Sequence, residues 1–61
     1  MLKPGVIYED SEGTWLITDI DKNTNIASIT CIDSKDKKNI GTEYDVFVEE
    51  IEILIKKETT R

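Results

Sequence analysis

The chain has 61 residues, thirteen of them Asp or Glu and eight Lys or Arg, with no His, one Cys and a formal net charge of −5. That length allows one domain, near the lower limit for folding without disulfide or metal, and the single Cys31 rules out an intramolecular disulfide. With no His and one Arg at the C-terminus, the usual nucleophile–base pairs cannot be built, and so small a domain has no room for a deep pocket; the expectation is no enzyme and no cofactor.

Twenty residues are Ile, Val or Thr, ten of them Ile, and these stiff β-branched side chains favour strands throughout. Lys3-Pro4-Gly5 opens the chain as a turn. The first β-patterned run is Val6-Ile7-Tyr8, turned by Glu9-Asp10-Ser11-Glu12-Gly13 into Thr14–Ile20, with Gly13 as the left-handed residue closing the turn. Alternation puts Trp15 and Ile17 on one face, and Leu16, Thr18 and Ile20 on the other. Apolar groups on both faces predict a strand that curls around a core.

Asp21-Lys22-Asn23-Thr24-Asn25 reads as a hairpin turn. The second run, Asn25–Ile32, turns Ala27, Ile29 and Cys31 inward, because its opposite face carries the hydroxyls of Ser28 and Thr30. Asp33–Asn39 is a polar loop holding Lys35, Lys37 and Lys38, and Ile40-Gly41 leads out of it. The third run extends from Glu43 to about Lys56. Val46-Phe47-Val48 reads as one strand and Ile51–Ile55 alternates as another, with a single helical turn near Val48–Glu50 between them. At helical spacing, Phe47, Glu50 or Ile51, and Leu54 would share a face, but the Ile and Val content favours strand. The tail from Lys57 to Arg61 is expected to fray.

The Lys-Pro-Gly opening, the segment Pro4–Tyr8, the Gly13-Thr14-Trp15-Leu16-Ile17 strand and a short turn before an Ile-rich end together resemble the Src-homology-3-like small barrels. Tudor-like and KOW-like folds, and compact barrels of bacterial and phage proteins, belong to the same group. Over residues 3–56 the resemblance implies an all-β fold: a strongly bent, five-stranded antiparallel barrel that binds peptides, proteins or nucleic acid through loops and an aromatic-lined edge.

Asp19-x-Asp21-x-Asn23 matches the first half of a calcium loop, but Thr24 stands where the turn needs Gly and Thr30 where a bidentate Glu is needed, so Asx-type capping of the turn is the better reading. No zinc ligand set can be assembled. Tyr8, Trp15 and Tyr44 could form an aromatic cage or ledge at one barrel edge. Trp15 and Phe47 are better read as core, whereas Tyr8 and Tyr44, set among acidic residues, are candidates for exposed contacts. Cys31 reads as a small buried residue.

The acidic residues form three groups: Glu9-Asp10-Glu12, Glu43-Asp45 and Glu49-Glu50-Glu52. They either solvate the surface or offer carboxylates to a basic groove. The leading expectation is a cytoplasmic, non-enzymatic protein-binding module, such as a phage-type accessory or inhibitor protein, that docks on a basic partner through Tyr8, Tyr44, Glu49, Glu50 and Glu52. A nucleic-acid-associated barrel using Lys35, Lys37 and Lys38 is the rival. The acidic balance and the near absence of cations from the strands argue against it. A homodimer paired along Ile51–Ile55 is the third reading. No run reaches membrane-spanning length.

Overall fold

The computed structural model describes residues 2–59, with side chains as far as Ile55. Four strands follow one another as an antiparallel meander: β1 (Ile7–Asp10), β2 (Gly13–Asp21), β3 (Ile26–Asp33) and β4 (Glu43–Phe47). A 3₁₀ turn at Lys37–Asn39 lies between β3 and β4, and the helix α1 (Val48–Thr59) follows β4 directly. The sheet is open, with β1 and β4 as its edges.

The expected fold is therefore corrected in one element. The antiparallel, β-dominated sheet is present, but among the described residues it has four strands and not five, and it does not close into a barrel. In place of the expected helical turn near Val48–Glu50 and last strand at Ile51–Ile55 stands a single helix. Helix formation by Val48, Ile51, Ile53 and Ile55 costs about 0.5 kcal/mol per β-branched residue. Burying one Ile side chain returns about 1.5–3 kcal/mol. Ile51 is 1% exposed, with Val48, Leu54 and Ile55 packed against the same core. Tertiary burial at helical spacing thus outweighs local β preference. Glu49 and Glu50 in the first turn also complement the helix dipole. The helix assignment runs to Thr59, and residues 60 and 61 of the tail expected to fray lie outside the described residues.

Turn chemistry follows the sequence closely. Gly5 has φ 97°, and the Val6 amide donates to the Lys3 carbonyl at 3.2 Å, as in a Pro-Gly type II turn. In the second hairpin turn, the Asn23 amide donates to Asp21 Oδ1 at 2.9 Å, which is the expected Asx cap. Asn25 takes a left-handed φ of 61°, and its carbonyl accepts from the Val48 amide at 2.9 Å, tying this turn to the start of α1. Gly13 has a positive φ of 158°, outside the left-handed well expected for it but still unfavourable for a side chain. A Cβ there would run into the carbonyl of Asp33.

The apolar residues on both sides of β2 are explained by a bulge. Ile17 pairs with Ile29 and Asp19 with Ser28, so Thr18 is an extra residue and the side-chain alternation shifts after it. Ile20 consequently stands opposite Ala27 and joins the face of Trp15 and Ile17, not that of Leu16. Ala27, Ile29 and Cys31 point into the core as expected. The core comprises these residues with Tyr8, Trp15, Ile17 and Ile51. Phe47, expected inside, is 56% exposed, because it pairs with Ile26 on the face opposite Ala27.

Candidate functional site

α1 covers one face of the sheet incompletely. A helix is about 10 Å across, whereas four strands at about 4.8 Å spacing span about 14 Å. What remains uncovered is a cleft of about 380 Å³ between the sheet and the helix. Its floor and walls come from every strand. Tyr8 of β1 stands opposite Trp15 of β2, and Ile29 of β3 stands opposite Tyr44 of β4. These partners share the sheet face that carries the core. The helix contributes Glu50, Ile51 and Leu54, one side of α1 at helical spacing. Asp10 and Glu12 close the end at the β1–β2 turn.

The aromatic wall is built from a T-shaped pair. The rings of Trp15 and Tyr44 have centroids 5.7 Å apart and an interplanar angle of 71°. Trp15 belongs first to the core: an indole buries about 150–250 Å², worth about 4–6 kcal/mol at about 25 cal/mol per Å². Its remaining surface faces the cleft. Tyr44 is 51% exposed and forms the outer lip.

Asp10 fixes the turn and the wall together. Its Oδ1 accepts from the Glu12 amide at 2.9 Å, the Gly13 amide at 3.1 Å and Trp15 Nε1 at 3.0 Å. Its second oxygen takes no protein donor among the described residues. A further brace comes from Ser34, whose hydroxyl donates to the Glu12 carbonyl at 3.0 Å and so pins the loop after β3 to the mouth of the cleft.

Tyr8 is only 7% exposed, so the expectation that it lies on the surface is corrected. Its hydroxyl has no hydrogen-bond partner among the described residues. Yet among the described residues no fully buried polar side-chain atom lacks a partner. The hydroxyl is therefore not fully buried, and Tyr8 lines the cleft. Burial, and secondarily the charge of Asp10, push its pKa up to about 12. It stays protonated across the physiological range.

Of the residues singled out from the sequence, Tyr8, Tyr44 and Glu50 meet at this cleft. Glu49 and Glu52 are exposed on α1 without lining it. Sequence reasoning missed Asp10 and Glu12 as members of the site, and it treated Trp15 as core alone or contact alone. Asp10 three residues before Gly13 is an Asx-turn signal, and helical spacing would have grouped Glu50 with Ile51 and Leu54. Asp45 reaches the rim, but its carboxylate lies on the other face, where it accepts from Ser28 Oγ at 3.1 Å.

Cys31 is buried, its Sγ donating to the Asp33 carbonyl at 3.3 Å. Lys35, Lys37 and Lys38 are exposed around the 3₁₀ turn, whose start is capped by the Asp36 side chain accepting from the Lys38 amide at 3.1 Å. No helix among the described residues is long and apolar enough to cross a membrane. Comparisons of the chain with protein-family models, with curated proteins and with solved structures give no match.

Proposed function

We propose that the protein is a non-enzymatic protein-binding module that receives a basic segment of its partner in the cleft between sheet and helix. One observation carries this reading: the cleft joins aromatic walls, Trp15, Tyr8 and Tyr44, to the acidic residues Asp10, Glu12 and Glu50, and no Lys or Arg is among its described lining residues. Aromatic faces and carboxylates both attract cations, and they do so more strongly in a partly desolvated recess than on an open surface. Tyr and Trp are also the residue types that most often anchor interfaces. The chain's net charge of −5 favours encounter with a basic partner and disfavours contact with a phosphate backbone. On this reading it acts in the cytoplasm as a small accessory or inhibitor protein of the phage type.

The test is recovery of partners from cell lysate with tagged protein, with and without nuclease. Two double variants change the net charge equally: Glu12→Lys with Glu50→Lys at the cleft, and Glu49→Lys with Glu52→Lys beside it. The cleft pair is expected to weaken a nuclease-resistant partner by at least about tenfold, and the control pair by much less. Equal losses would reduce the effect to general charge. Recovery that disappears with nuclease would favour the loop of Lys35, Lys37 and Lys38 instead.

A further inference from the structure

We propose that the group entering the cleft is an arginine side chain of the partner, its guanidinium stacked against the aromatic wall and hydrogen-bonded to Tyr8 Oη and the second carboxylate oxygen of Asp10. This inference rests on the protein-binding reading and names the chemistry that reading leaves open. It starts from two incomplete polar groups. Tyr8 is more than nine-tenths buried, its hydroxyl finds no partner among the described residues, and the residue lines the cleft. Asp10 is held by three donors on one oxygen, while the other takes none among the described residues. Two oxygens with lone pairs to fill, one of them charged, call for a ligand rich in donors and positive in charge.

Ammonium and guanidinium both answer that description, and the walls decide between them. Ile29, Val46 and Leu54 make much of the lining apolar. An ammonium is compact and strongly hydrated and would shed its water at high cost there. A guanidinium is planar, weakly hydrated and stacks on aromatic faces, and its fork of donors can reach two acceptors at once. The volume of about 380 Å³ is at the small end of ligand pockets. It accommodates one long side chain and leaves the rest of the segment outside, along Glu12 and Glu50 at the rim. Because Asp10 is already fixed, little conformational freedom is lost when the ligand binds.

Trp15 is the only tryptophan, so its emission reports occupancy directly. Three probes are titrated: a short basic peptide containing arginines, the same peptide with every arginine replaced by lysine, and N-acetyl-arginine amide. The arginine peptide is expected to perturb Trp15 emission and to bind about tenfold more tightly than its lysine counterpart. Tyr8→Phe, which removes one oxygen and keeps the buried ring, should abolish most of that preference. Glu50→Gln, an exposed helical change, should weaken both peptides and preserve the ratio. Equal binding of the two peptides, or a preference untouched by Tyr8→Phe, would overturn the arginine assignment while leaving the protein-binding reading in place. Blocked arginine binding as tightly as the peptide would make the ligand a free guanidino compound and overturn the partner segment. Failure of both peptides to bind would remove the protein-binding reading itself.

Discussion

Asp10 joins local geometry to the site more directly than any other residue. Three donors converge on its Oδ1: two turn amides and the indole of Trp15. Removing that acceptor frees all three at once in a partly buried setting. Asp10→Ala should therefore cost about 1–3 kcal/mol, whereas Asp10→Asn keeps an acceptor oxygen and should cost much less. Urea denaturation curves of the two variants measure the difference, and equal midpoints would show that the convergence carries no stability. The amide contacts were legible from Asp10-Ser11-Glu12-Gly13, because short polar side chains bond the backbone just ahead of them. The contact to Trp15 was not, since it depends on the cross-strand pairing of Tyr8 with Trp15. That same pairing turns Tyr8 inward. Its acidic neighbours in sequence suggested exposure, but on a strand the adjacent residues point to the opposite face.

At the level of the elements, the last third of the chain carries most of the discrepancy between sequence and structure. Ile51, Ile53 and Ile55 alternate as in a strand, and on a strand all three would share one face. On α1, Ile51 is buried at 1% exposure and Ile53 stands outside at 58%. Ile51→Ala is expected to cost about 2–5 kcal/mol, and Ile53→Ala within about 0.5 kcal/mol of zero. Chemical denaturation of the pair tests the phase of the helix. Similar losses at both positions would restore the strand. Composition pointed the wrong way here because β-branched propensities amount to tenths of a kcal/mol each, less than one buried side chain contributes. The bulge at Thr18 was equally hidden. It follows from the register of β2 against β3, and its visible trace, Ile20 on the seemingly wrong face, was read as a strand curling around the core.

On the scale of the whole molecule, replacing a fifth strand by a helix decides what kind of surface the protein offers. A closed barrel would have put its core inside and left loops and one edge for contact. Here a sheet and one helix make two layers, and the Cα dimensions of 32 × 29 × 15 Å are those of a thin slab. One helix cannot cover four strands, so an aromatic part of the core face is left open beside the acidic first turn of α1. The two sheet edges carry Glu9 and Asp10 on β1 and Glu43 and Asp45 on β4, charges that discourage edge-to-edge pairing. The meander itself, its turns and the inward set of β3 were legible from alternation and turn residues. The cleft was not, since it arises from the mismatch between helix width and sheet width.

On the proposed reading this cleft, and not the lysine loop or the outer sheet face, receives the partner. Amide chemical-shift mapping during titration with an arginine-containing basic peptide tests it most directly. The shifts should concentrate at Tyr8, Asp10, Glu12, Trp15, Tyr44 and Glu50, with Lys35–Lys38 unmoved. Shifts centred on that loop, or on Ile7, Leu16 and Phe47 across the opposite face, would contradict it.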